Sequence, residues 1–160
     1  MLNTYQDPNC TFCKINRGES PARIVGETSS TLAFIPLSPA TVGHTLLIPK
    51  VHSSTLFDTD EDSLRSLIVA SKHLATRIQE ATGCDGMNII QSNGSSATQT
   101  VDHYHMHLVP RNDGDGFGPI WPTRPVCEDA VEDFFETVSS LEQKETLRFL
   151  IPESLYFFYS

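Results

Sequence analysis

The amino-acid sequence predicts an α+β fold: an antiparallel five-stranded sheet with one long helix and a C-terminal helix. Two observations carry this expectation. Short apolar runs bounded by polar residues or proline recur between residues 21 and 111, as in a meander of strands. The helical periodicities stand apart from them, one between the third and fourth runs and one after the fifth. The chain therefore lacks the regular strand–helix alternation of a parallel sheet.

Taken in order, Pro21–Thr28 (PARIVGET) and Thr31–Pro39 (TLAFIPLSP) read as the first two strands. The second is broken at Pro36, which has no amide hydrogen to give to a ladder. Gly43–Lys50 (GHTLLIPK) is the third, stopped at Pro49. Asp60–Gly83 follows the three-and-four spacing of an amphipathic helix through Leu64, Leu67, Ile68, Leu74, Ala75 and Ile78. Thr59 or Asp60 can cap its start, acidic residues occupy its first turn, and Gly83 stands where a C-terminal glycine belongs. His73 is out of phase with that stripe and is expected at the surface. Gly86–Asn93 (GMNIIQSN) is the fourth strand, and the polar loop GSSATQT leads into the fifth, VDHYHMHLVPR, Val101–Arg111. Asn112–Pro125 is rich in Gly and Pro and reads as a surface loop or lid. Glu128–Leu150 is a second helix using Val131, Phe134, Phe135, Val138 and Leu141. The aromatic tail Glu153–Ser160 is expected to pack on the body or on a second subunit.

The 160 residues, 39% hydrophobic and 19% charged, suit one domain over 1–160 with a core of its own. No apolar run approaches the roughly 18 residues of a membrane span. The N-terminus MLNTYQDPNC has neither the basic patch nor the apolar stretch of a secretory signal, so a cytoplasmic location is expected. A net charge of −9 argues against an extended grip on nucleic acid, which rewards clustered cations. It leaves room for a small anion held by helix N-termini, amides or imidazoles. Cys84 and Cys127 are isolated and read as buried or inert filler. Cys10 and Cys13 form a C-x-x-C, a pattern that inside a cell serves metal or redox chemistry more often than a structural disulfide.

Three of the six histidines fall in VDHYHMHLVPR. On a strand, Val101, His103, His105, His107 and Val109 share one face, with Asp102, Tyr104, Met106 and Leu108 on the other. Three uses are open: a histidine-rich surface strand, a three-histidine zinc centre, or covalent phosphoryl chemistry. In the last, a neutral imidazole attacks phosphorus while a neighbour binds phosphate oxygens or carries protons. Ser95, Ser96, Thr98 and Thr100 add hydroxyls and amides to hold a phosphate.

The string from His103 to Val109 resembles the His-φ-His-φ-His-φ-φ motif of the histidine triad (HIT) superfamily. CTFCKINRGESPARIVGE, LAFIPLSPATVGHTLLIPKVH and QTVDHYHMHLVPR fall in that family's order. The likeness covers about residues 10–118, leaving the C-terminal helix and tail at 127–160 less diagnostic. It implies a HIT-like fold, a homodimer, and a nucleotide hydrolase or transferase acting on purine nucleotides at an α-phosphate. The expected intermediate is a nucleotidyl-histidine, and the expected substrates are nucleoside phosphoramidates or dinucleoside polyphosphates. By the same resemblance His105 would be the nucleophile, and His107 would contact the phosphate and assist proton transfer. Phe34 and Ile35 would help form the base and ribose pocket, with His44 near the site. Thr100 would bond the phosphate, and Ser92, Asn93 and Gln99 would also take part in binding the substrate. Zinc-containing relatives imply a structural zinc held by Cys10, Cys13, His52 and His103. Two departures stand out. Pro36 replaces an acid or amide that often binds the ribose, and Ser92 and Thr98 replace an Asn or Gln and a Gly. A nucleotide-binding module with little turnover is the alternative reading, and a hydrolase using water on a triad-bound zinc is a third.

Overall fold

The five apolar runs form one antiparallel sheet in a computed structural model that describes residues 5–118 and 125–142. Its strands are β1 (Arg23–Glu27), β2 (Thr31–Ile35), β3 (Thr45–Pro49), β4 (Gly86–Gln91) and β5 (Met106–Arg111), in the order β1-β2-β3-β5-β4. Helix α1 (Thr11–Asn16) precedes the sheet and α2 (Glu61–Thr82) joins β3 to β4. These elements belong to one compact unit, Met1–Gly116. A second unit begins at Phe117 and holds α3 (Glu128–Glu142). Among the described residues no helix is long and apolar enough to cross a membrane.

The central strands are covered on both faces, which explains why β3 is buried along its whole length. On one face Ala33, Leu47, Tyr104, Met106 and Leu108 pack against Leu67, Leu74 and Ile78 of α2. On the other, Leu32, Phe34, Leu46 and Ile48 pack against Cys10, Phe12 and Cys13 at the start of α1. This is the period-two alternation of a strand, with Ala33 between Leu32 and Phe34, and Leu47 between Leu46 and Ile48. Helix α2 starts where the sequence places it. The Asp60 carboxylate accepts from Ser63 N at 2.9 Å and from Ser63 Oγ at 2.8 Å, a cap worth about 1 kcal/mol. Those bonds hold the carboxyl below its ordinary range. Gly83 ends the helix with φ 67°, a left-handed turn that glycine adopts without strain.

Several expectations need correction. The strand expected over Val101–Arg111 begins only at Met106, so of the three triad histidines His107 alone lies in a ladder. The reason is local. The amide of His103 bonds back to Val101 O at 2.8 Å, and Tyr104 N bonds Ser53 O at 2.7 Å, so these amides serve a turn and a loop. Ile68 was expected on the core face of α2 but is 57% exposed, and Ser71 fills the buried stripe between Leu67 and Leu74. Cys84 is buried, whereas Cys127 is exposed. Helix α1 has no counterpart among the expected elements. His73 is at the surface. Val131, Phe134 and Phe135 of α3 are exposed. The rest of the expected helix to Leu150, the tail Glu153–Ser160 and residues 119–124 of the Gly/Pro loop lie outside the described residues.

Candidate functional site

The β-ladder sets the position of His107. It lies opposite Leu46 on one side and Ile90 on the other, and Leu46 lies opposite Phe34. Phe34, Leu46, His107 and Ile90 thus form a cross-strand row on the α1 face of the sheet. Phe34 is only 2% exposed and meets Phe12 edge to face, with ring centroids 5.3 Å apart. Ile35, the last residue of β2, is half-buried, and Pro36 follows it half-buried.

His105 comes just before β5 and is 4% exposed. Phe12 meets its ring edge to face at 5.3 Å, and the His107 ring lies 5.0 Å away. Its Nδ1 is 2.6 Å from the carbonyl oxygen of His103. A carbonyl only accepts, so the proton sits on Nδ1 and Nε2 keeps its lone pair. Burial lowers the pKa of His105, against the opposing pull of that carbonyl, and keeps the ring neutral. A neutral imidazole with a defined unprotonated Nε2 is the form that acts as a nucleophile.

His107 is reached from the other side by His44, the residue before β3. His44 Nε2 is 3.0 Å from His107 Nδ1, and His44 Nδ1 is 2.9 Å from the amide nitrogen of Ala40. Burial lowers the pKa of His44. His107 is pushed down to about 4, first by burial and then by the charges that His105 and His44 would carry.

The loop before the triad is tied down by its own amides. Gln99 is buried; its Oε1 accepts from Gly94 N at 2.7 Å, and its Nε2 donates to Ser54 O at 2.7 Å and to Val101 O at 2.9 Å. Asn93 accepts from Leu56 N at 2.7 Å and donates to Gln91 Oε1 at 2.7 Å. Both side chains therefore brace the loop. Ser92 is half-buried and its carbonyl accepts from Gln91, while Thr100 is exposed. Thr98 takes φ 66°, the left-handed conformation that the expected glycine would adopt at lower cost.

A second cluster adjoins the first. Cys10, at the N-terminus of α1, and Cys13 one turn on put both sulfurs on one side of the helix. With His52 and His103 they form a group whose ligand atoms all lie within 4.8 Å of one another and that could hold a metal ion. The separations are specific. His52 Nδ1 and His103 Nδ1 are 3.3 Å apart, and the sulfur–nitrogen distances are 3.4, 3.4 and 3.5 Å. Zinc bonds of about 2.05 Å to nitrogen and 2.3 Å to sulfur give a nitrogen–nitrogen tetrahedron edge of about 3.3 Å and a sulfur–nitrogen edge of about 3.6 Å. The donor set and its spacing fit that ion. His103 Nε2 donates to Pro49 O at 2.9 Å, which leaves the Nδ1 lone pair facing the cluster. Burial pushes His103 down to about 4 and the Cys13 thiol up to about 11. A bound cation would displace the thiol proton.

The residues expected in the triad and in the metal cluster are thus brought together in two adjoining groups that share His103. Sequence reasoning missed Phe12, the Ala40 amide and the Pro49 carbonyl. The last two act through the main chain, where the residue type carries no signal.

A sheet with this helix placement, bearing a buried histidine relay beside a Cys–His cluster, defines a histidine triad protein. The HIT domain pattern matches residues 17–114, and the chain belongs to that family. It is 38% identical over 133 residues to the Hit protein of Bacillus subtilis, covering 82% of this chain and 90% of the relative. It is 34% identical over 133 residues to an adenosine 5′-monophosphoramidase of Schizosaccharomyces pombe, covering 82% and 97%. Its fold is similar to the crystal structure of a zinc-bound histidine triad family protein from Mycobacterium smegmatis, with a TM-score of 0.66 and 33% identity, covering 86% and 98%.

Proposed function

We propose that this protein is a nucleotide hydrolase or transferase acting at an α-phosphate through a covalent nucleotidyl-histidine. Nucleoside phosphoramidates or dinucleoside polyphosphates are its substrates. The observation that carries the reading is the 2.6 Å bond from His105 Nδ1–H to the His103 carbonyl, which leaves Nε2 as the nucleophilic nitrogen. Attack by Nε2 forms a phosphorus–nitrogen bond and breaks the bond to the leaving group, whose electron pair is protonated from solvent. Water then cleaves the new bond, releasing the nucleoside monophosphate and restoring the imidazole. The similarity to an adenosine 5′-monophosphoramidase supports this class of substrate.

Phe34 and the half-buried Ile35, at the end of β2, are proposed to help form the base and ribose pocket. Pro36 has no side-chain hydrogen bond to give the ribose. Thr100, at the exposed end of the loop, is the hydroxyl proposed to meet the phosphate. The Cys–His cluster holds a structural zinc in this reading. With four protein ligands its shell is closed, so the ion stiffens the segment around His103 and supplies no water for attack. A homodimer completes the proposal. Strand β4 is an edge of the sheet, Ile89 on it is exposed, and Ile68 and Val69 are exposed apolar side chains of α2.

The test is to incubate the protein with adenosine 5′-phosphoramidate labelled in the adenosine and quench within the first turnover. An acid-labile adenylyl group mapping to His105, with turnover falling to background in His105→Ala, is the expected result. Near-normal turnover in His105→Ala would refute the covalent route. Tight nucleotide binding with no turnover in the natural protein would favour the binding module.

A further inference from the structure

We infer that the main-chain amide of Ala40 is a positioning group that fixes His107 as a neutral hydrogen-bond donor at the site, acting through His44. The inference rests on the reading of His105 and His107 as the phosphate-handling pair, and it assigns His107 a role different from that of a proton carrier.

The argument follows the hydrogens. A backbone N–H can only donate, so the 2.9 Å contact with Ala40 N makes His44 Nδ1 an acceptor. A neutral imidazole has one donor and one acceptor, so the His44 proton is on Nε2. That nitrogen is 3.0 Å from His107 Nδ1, which must then accept. His107 is left with its single proton on Nε2. A proton arriving at His107 Nδ1 would face the N–H of His44, which cannot retreat to Nδ1 while Ala40 donates there.

The surroundings keep this arrangement in place. His44 is 6% exposed, so water cannot readily replace the amide. The loop carrying Ala40 is stapled at two further points: Thr41 Oγ1 donates to Pro110 O at 3.3 Å, and His44 N donates to Thr41 O at 3.1 Å. The low pKa of His107 agrees with a ring that resists a second proton.

The two neighbouring triad imidazoles are therefore set in opposite tautomers by main-chain groups of opposite kind. A carbonyl gives His105 an Nε2 lone pair, and an amide, one imidazole removed, gives His107 an Nε2 proton. The pair offers a nucleophile and a donor to a non-bridging phosphate oxygen side by side. The proton for the leaving group then comes from solvent or from the substrate.

Nitrogen-15 NMR of the imidazoles at neutral pH, on protein without nucleotide, tests this, because Nδ1–H, Nε2–H and imidazolium have distinct signatures. In the natural protein His107 and His44 should be Nε2–H and His105 Nδ1–H. His44→Gln retains an N–H donor towards His107 Nδ1 and should keep His107 in the Nε2–H form. His44→Glu presents an acceptor there and should convert His107 to Nδ1–H or imidazolium. Ala40→Pro, which removes the amide hydrogen, should give His107 a mixture of tautomers; if that variant does not fold, the Gln and Glu pair decides. Finding His107 as Nδ1–H or imidazolium in the natural protein, or unchanged in His44→Glu, would overturn the inference. Failure of the covalent reading would show instead as absence of label on His105, with these tautomers intact.

Discussion

Gly43 occupies the turn immediately before His44, and its replacement by alanine separates two physical terms. Its φ is 87°, in the left-handed region, where a Cβ costs about 1–2 kcal/mol. The added methyl would also lie 2.8 Å from Thr82 Cγ2, 3.1 Å from Pro110 Cγ and 3.3 Å from Ile78 Cγ2. Overpacking of this kind costs about 1–3 kcal/mol. Gly43→Ala should therefore lose roughly 2–5 kcal/mol in all. Thr82→Ser removes the nearest methyl and keeps the hydroxyl that donates to Ile78 O at 2.8 Å. In a double-mutant cycle read by urea denaturation, Thr82→Ser should recover at least about 1 kcal/mol of the loss, because the φ strain remains and the steric part shrinks. A loss below about 1 kcal/mol in Gly43→Ala would refute the strained-turn argument. A coupling near zero would refute the close approach of Gly43 to Thr82.

The metal cluster and the histidines give two more predictions. Cys13→Ser changes a fully buried ligand with little change in shape, and should lower zinc content to background and stability by on the order of 3 kcal/mol. Elemental analysis and thermal melting with and without chelator read this, and a chelator that leaves the melt unchanged would count against a structural ion. The second prediction concerns acid. His107 binds a proton near pH 6.5 when unfolded but is pushed down to about 4 when folded, and His44 and His105 are lowered as well. The unfolded chain then takes up more protons, so stability is full above 6.5 and is lost as pH falls towards 4. Solvent screening of the half-buried His107 reduces its share, and the total fall should be on the order of 1–3 kcal/mol. Urea melts across that range that stay flat would contradict the neutral imidazoles.

Much of this architecture was legible in the sequence because it rests on side-chain pattern. The unbroken apolar runs in TLAFI and TLLIP suit strands covered on both faces, and Asp60 and Gly83 announce the two ends of α2 by their side-chain chemistry. The C-x-x-C pair was legible as a candidate metal group because few residue types bind a metal, the family resemblance added His52 and His103, and the four do gather into a group that could hold an ion. What failed was whatever the main chain decides. The late start of β5 follows from the His103 and Tyr104 amides being spent elsewhere, which no periodicity reports. Ile68 was misjudged because an apolar residue next to the buried stripe looks the same in sequence whether it faces the core or a free flank. The side-chain amides of Gln99 and Asn93 meet the backbone of Ser54 and Leu56, partners distant in the chain that no local pattern announces.

The anchors of the histidine relay are the Ala40 amide, the His103 carbonyl and the Pro49 carbonyl, none of which depends on a side chain. Almost any residue can occupy position 40 without disturbing its anchor, proline excepted. A carbonyl at position 49 survives every substitution that preserves the strand. The relay is thus tolerant of drift in spelling and intolerant of drift in length. Inserting or deleting one residue between Ile35 and His44 would slide a different amide, or none, beneath the imidazole. Redesign of this turn can change its composition widely, provided the number of residues in it is kept.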